Sequence, residues 1–161
     1  MSEVLIRLQA YAMTVTGDGH RPMLLLKDES GEFTLPVPLS PLEAGVTLTQ
    51  SNKMAPPTTP HRVAELLLKS MGTTIQRCVF KEIKHGHQWV ELELSNHPLQ
   101  HKTLSVRADE SLSLCLHLDV PIFASREFIN SARHYVADLR SQTPDLIINP
   151  KILERPHPYV M

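Results

Sequence analysis

Several things are missing from this chain, and each absence narrows its chemistry. Only two cysteines occur among 161 residues, Cys78 and Cys115, and no partner stands near either at metal-ligand spacing. A disulfide framework and a thiolate zinc site are therefore excluded, and both residues are expected as buried free thiols in a reducing cytoplasm. There is no excess of charge of either sign, with 16 Lys and Arg against 17 Asp and Glu. Net charge thus gives no support to nucleic-acid binding, which would need a localised basic patch. No apolar run approaches membrane-spanning length, and the opening MSEVLIRLQAY carries Glu3 and Arg7, unlike a signal peptide. The expectation is a soluble cytoplasmic protein without a membrane partner. Walker loop, dinucleotide fingerprint, nucleophile elbow and HExxH are all absent, which sets aside the common cofactor enzymes.

What is present reads as an alternation of strands and helices. Glu3 to Val15, Met23 to Lys27 and Glu32 to Val37 are rich in branched and apolar residues, and turn residues Gly17-Asp18-Gly19 and Asp28 to Gly31 separate them. They predict a three-strand antiparallel meander whose last strand ends or lies at an edge, because Pro36 and Pro38 cannot donate to a ladder. Ser40, Pro41 and Glu43 form a helix start with capping-box chemistry, followed by a helix to about Asn52. Met54 to Pro60, with three prolines, is an extended connector. A second helix follows, with Thr59 as its cap, Val63, Leu66, Leu67 and Met71 as its apolar face, and Gly72 as its left-handed stop.

Thr73 to Lys84, Gln88 to Leu94 and His101 to Arg107 predict a second meander, turning at His85-Gly86 and at Asn96-His97-Pro98. If Ser95 faces His101, antiparallel counting sets Trp89 across from Arg107 and Glu91 across from Ser105. From Leu104 to Ser125 a strand end, a short helix and another strand follow in quick succession, and Ser125 caps a last helix reaching about Gln142. The predicted fold is α+β: a mixed, mainly antiparallel sheet from two three-strand meanders, with about four helices. Residues 1–142 are read as one domain. Residues 143–161 are read as an extended tail, since prolines forbid a helix while Leu146, Ile147, Ile148 and Ile152 resist exposure. Such a tail favours docking across the boundary of a homodimer or higher oligomer.

Two groups of side chains are candidates for chemistry. His85 and His87 sit in one turn, with His97 and His101 around the next, but those turns lie at opposite ends of one strand and do not share an ion easily. Arg107, Asp109 and Glu110 gather where a strand hands over to a helix N-terminus, a place that favours anions and carboxylates alike. Asp109 and Glu110, with Glu91 as a third candidate, are the hard oxygen donors a divalent ion takes. A purely structural reading stands beside this one: Asp109 caps the helix, Glu110 offsets its dipole and Arg107 stacks on Trp89.

The run LPVPLSPLEAG with Glu43, the proline-rich link to a helix beginning at His61, Gly72, and SVRADESLSLCLHLDVPIFAS together resemble the bifunctional nuclease domain. Family members usually show Asp-Ala-Arg-Pro-Ser-Asp where this chain has Ser105 to Glu110, so Arg107 and a final acid are kept. At the second helix the family's Thr-His-Asp appears as Pro60, His61 and Arg62. The resemblance implies an α+β fold, often oligomeric, and cleavage of DNA and RNA with magnesium or manganese. It implies a site in which Glu43, Asp109 and Glu110 bind the ion, His61 acts as base or orients water, and Arg107 holds phosphate. The alternative is a non-catalytic relative that keeps the fold and binds protein partners.

Overall fold

The computed structural model describes residues 2–14, 21–51, 60–96 and 100–141. The expected turn at Gly17-Asp18-Gly19, the Met54 to Thr59 part of the connector with its cap, the His97-Pro98 turn and the tail lie outside these residues.

The first meander forms as its sequence predicts: β1 (Leu5–Thr14), β2 (Met23–Lys27) and β3 (Thr34–Pro38), antiparallel throughout. Two helices follow, α1 (Pro41–Ser51) and α2 (His61–Ser70). The second meander is β4 (Thr73–Lys84), β5 (His87–Asn96) and β6 (Gln100–Arg107), leading directly into α3 (Ala108–His117). A short β7 (Ile122–Ser125) and α4 (Arg126–Ser141) complete the described chain.

The two meanders are not neighbours by sequence alone. Strand β7 inserts between them, antiparallel to β1 and parallel to β4, giving one seven-stranded sheet in the order β3-β2-β1-β7-β4-β5-β6. The proline-bearing β3 is at an edge, where its missing N–H groups cost no ladder bond. The β5 to β6 register is the predicted one, with Trp89 opposite Arg107, Glu91 opposite Ser105 and Ser95 opposite His101.

Local chemistry explains the turns and helix ends. His85 and Gly86 both adopt positive φ, at 53° and 74°, as a tight two-residue hairpin requires. Ser40 Oγ accepts from Glu43 N at 3.2 Å, and Ser125 Oγ accepts from Phe128 N at 3.0 Å, so both predicted hydroxyl caps form. The α3 helix ends without glycine: Asp119 takes φ of 54°, with Asp119 N to Leu116 O at 3.3 Å and Val120 N to Cys115 O at 2.9 Å. That six-to-one bond aims the chain into β7.

The helices α3 and α4 cover one face of the central strands. Cys78 and Phe80, two apart on β4, project to the same side, where Cys78 meets Cys115 of α3 and Phe80 lies 5.2 Å from the Phe128 ring of α4. Both cysteines are free and buried, and the Cys115 contact together with burial holds the Cys78 thiol far above its ordinary range. They are core groups and not nucleophiles. Leu112, Ile129, Val90 and Ala124 fill the layer between sheet and helices with no measurable exposure.

Candidate functional site

Helix α3 begins where β6 stops, and its start differs from the expectation. Arg107 occupies the cap position with extended backbone and no side-chain cap bond, so Asp109 is not the cap but a first-turn residue. Its carboxylate is held by two arginines from separate parts of the chain. Arg107 Nε donates to Oδ1 at 2.9 Å and Nη2 to Oδ2 at 2.5 Å, a bidentate pair, while Arg21 Nη2 reaches Oδ2 at 3.1 Å. His87 Nδ1 stands 3.8 Å from the same oxygen. Asp109 is buried, whereas Arg107 and Arg21 keep 31% and 43% of their side-chain surface, so the cations present outward faces while their anion is hidden. The contact raises the Arg107 pKa, with the Asp109 hydrogen bond as the main cause. The guanidinium therefore turns to Asp109, and Trp89 donates its indole N–H to the Lys84 carbonyl at 3.2 Å. Glu110 is largely exposed and only 3.8 Å from Arg107 Nη1, a loose pair.

One turn further along α3, at the i+4 position, stands Ser113, almost wholly buried. Its hydroxyl donates to Glu43 Oε2 of α1. Glu43 thus does not close the predicted capping box; its carboxylate reaches across to α3. Having spent its only hydrogen, Ser113 Oγ must accept from His61 Nε2 of α2, 2.8 Å away. This fixes the proton on Nε2 and leaves the Nδ1 lone pair without a partner among the described residues. Burial lowers the His61 pKa, with Glu43 opposing and His117 adding to the shift, so the ring is neutral at neutral pH.

A second turn on, His117 Nε2 meets Glu65 Oε2 of α2 at 2.9 Å, and Lys69 holds the other oxygen at 2.8 Å. Lys69 first and then His117 depress the Glu65 pKa to about 2. The His61 and His117 rings are 6.1 Å apart. Asp109, Ser113 and His117 therefore form one polar stripe on α3, answered in order by arginines, by Glu43 with His61, and by Glu65.

Of the residues singled out by sequence, Arg107, Asp109 and Glu110 are together, and Glu43 is paired with His61 through Ser113. Among the described residues no group of three or more His, Cys, Asp or Glu side chains is arranged to hold a metal ion, so Glu43, Asp109 and Glu110 do not converge as one cage. Asp109 is engaged by arginines and Glu43 by a hydroxyl, which leaves Glu110 as the carboxylate with accessible oxygens. Sequence reasoning missed Arg21, Glu65, Ser113 and His117, and it grouped His87 with His85 in a turn and not with Asp109. A stripe at i, i+4 and i+8 within an apolar helix was the signal available for Ser113 and His117.

The fold and the stripe define a class: an α+β domain whose buried helix α3 meets two arginines at its first turn and, one turn on, an imidazole from α2 and a carboxylate from α1. Residues 24–137 match the bifunctional nuclease domain, and the chain belongs to that family. The match runs from β2 into α4 and contains every site residue named above except Arg21. No curated protein matches the chain.

Proposed function

We propose that this protein hydrolyses phosphodiester bonds of nucleic acid, with His61 as general base and Arg107 as the phosphate contact. The observation that carries this reading is the Glu43–Ser113–His61 chain: it holds a neutral imidazole, with Nδ1 unpartnered among the described residues, on Ser113, which lies one helical turn, roughly 6 Å along α3, from the Asp109 that anchors the arginines. In that role Nδ1 takes a proton from water as its oxygen attacks phosphorus, and the bond from phosphorus to the sugar oxygen breaks, that oxygen keeping the bonding pair and taking a proton from solvent to leave as the alcohol. Arg107 and Arg21 stabilise charge on the phosphoryl oxygens, and Asp109 is a positioning residue that holds both guanidinium groups in place. Arg107 and Arg21 turn exposed guanidinium faces outward over a buried anion, a local phosphate contact that does not depend on net charge.

Magnesium or manganese belongs to this proposal as an ion arriving with the substrate's phosphate, since such ions take one or two carboxylates and keep several waters. Glu110 would meet it, and it would supply additional charge neutralisation at phosphorus. The test is cleavage of single-stranded and double-stranded DNA and RNA by wild type, His61→Gln and Glu110→Gln, with magnesium, with manganese and with chelator. His61→Gln should lower turnover by about 10²-fold or more, and Glu110→Gln should raise the metal concentration required. Cleavage by His61→Gln equal to wild type would overturn the assignment.

One observation favours a second reading, a protein-binding or structural module. Helix α2 buries none of its residues, and Val63, Leu67 and Met71 are more than half exposed. This is a surface on which two copies of the chain could pair in the predicted homodimer. Sedimentation of wild type against Leu67→Glu tests it, with a fall in mass expected for the variant.

A further inference from the structure

Beside the polar stripe lies a cavity of about 310 Å³ that phosphodiester chemistry does not use. It opens between the last turns of α1 and α3 and strands β1 and β2, at the low end of the roughly 300–1,000 Å³ typical of small-molecule sites. Its walls are apolar, formed by Met13, Leu24, Leu48 and Leu116. Tyr11 also lines it, half-exposed, with the Lys27 ammonium 3.8 Å from the ring centroid. No charged side chain lines it among the described residues.

Two polar side chains do. Thr47 has already given its hydroxyl hydrogen to the Glu43 carbonyl at 2.8 Å. Gln50 has given nothing: its carboxamide oxygen and nitrogen are both shielded from solvent and neither has a hydrogen-bond partner. Glu43, Thr47 and Gln50 lie at i, i+4 and i+7 on one face of α1, so the same helix face that orders the base continues into the cavity. A buried carboxamide with both ends unpaired is costly to keep unless a ligand completes it.

We infer that this cavity binds a nucleobase, with Gln50 reading an edge that carries an N–H donor beside an acceptor. Apolar walls exclude a charged ligand, the volume suits one flat ring system, and a carboxamide pairs bidentately with such an edge, adenine being the simplest case. Tyr11 supplies an aromatic surface at the cavity wall, the feature that makes single-strand base sites tolerant of ring identity. The inference rests on the proposed function and deepens it by giving the substrate strand a base site about one helical turn beyond Ser113, toward the end of α3 away from the arginines. Binding is read without turnover, so its failure and the failure of cleavage are separate results.

The experiment follows Gln50 side-chain amide and Met13 methyl resonances while adenosine, uridine and, as an apolar control, indole are added to wild type, Gln50→Leu and Gln50→Glu. Adenosine should shift both signals in wild type and bind at least tenfold more weakly to both variants, with indole unaffected by Gln50→Leu. Both variants alter one side chain at the end of α1, and an unchanged amide fingerprint elsewhere verifies their fold. No shift with either nucleoside at millimolar concentration overturns the inference, as does equal adenosine binding by wild type and Gln50→Leu.

Discussion

Helices α2 and α3 are each ten residues long and each contributes one end of the His61–Ser113 hydrogen bond, yet α3 buries six of its residues and α2 none. By pattern the reverse is expected. Helix α2 separates its apolar and polar faces far more sharply, while α3 places Asp109, Ser111 and Ser113 on positions that prove to be buried. The difference shows that amphipathic spacing reports a face able to be covered, not the thing that covers it. Polar residues enter the interior of α3 because each finds a partner: arginines for Asp109, the Arg107 carbonyl for Ser111 at 3.0 Å, and Glu43 with His61 for Ser113. Helix α2 stands at the rim of the site, holding His61 and Glu65 toward α3 while Leu66 and Leu67 face outward.

The largest expected effect tests the buried member of this pair. Leu112→Ala in α3 removes a side chain with no exposure and should cost about 2–5 kcal/mol, read from the denaturation midpoint. A cost below about 1 kcal/mol would mean that α3 is not the centre of the core.

Asp109→Ala probes the polar end of the same helix. Breaking a wholly buried ion pair costs about 3–5 kcal/mol, but Arg107 and Arg21 retain water contact, so a loss of about 2 kcal/mol is expected. Asp109→Asn should recover part of it by keeping an acceptor. If Asp109→Ala is as stable as wild type, the arginines are not anchored by this carboxylate.

pH separates the His61 and Glu65 contacts between the two helices. The His61 pKa is lowered on folding, so the unfolded chain binds more protons between the folded value and the ordinary value of about 6.5, and stability rises with pH across that window. It should be lost as pH falls below about 6.5, and the loss should be smaller in His61→Gln. Glu65, depressed to about 2, contributes stability above its ordinary carboxylate pKa and loses it only as pH falls toward 2. A stability profile with the same slope near pH 6 in wild type and His61→Gln would contradict the assigned environment of the ring.

The smallest effect belongs to the exposed helix. Leu67→Ala on α2 should change stability by no more than about 0.5 kcal/mol at low protein concentration. A larger, concentration-dependent loss would show that a second copy covers this face in solution.

Several parts of this molecule are legible in its residues because their causes are local. Gly72 at φ 63°, the His85-Gly86 hairpin and the serine caps at Ser40 and Ser125 follow from backbone sterics and from donors that need acceptors within three residues. The hairpin lengths then fix register, which is why Trp89 lands opposite Arg107 as counted. Asp119 in the glycine-like position after α3 was not legible, since an aspartate there competes with many other local conformations and tertiary contacts decide. The insertion of β7 between the meanders was not legible either: a four-residue strand carries no mark of which edges it will join.

The candidate site divides along the same line. Its residue types, His61, Arg107, Asp109, Glu110 and Glu43, were visible through their likeness to a family pattern, but their partners were not. Arg21 meets Asp109 across 88 positions, and Ser113 meets Glu43 across 70 and His61 across 52. A carboxylate at a helix start can cap, offset a dipole, bind a cation or hold an arginine at similar local energy, so its neighbours in sequence do not choose among them. The sequence by itself determined the elements, those ends set by local glycine and serine chemistry, and the pairing within each meander. Tertiary structure alone placed β7, turned Asp109 toward two arginines and Glu43 toward a serine, and left α2 uncovered, because those outcomes depend on groups that only folding brings within hydrogen-bonding distance.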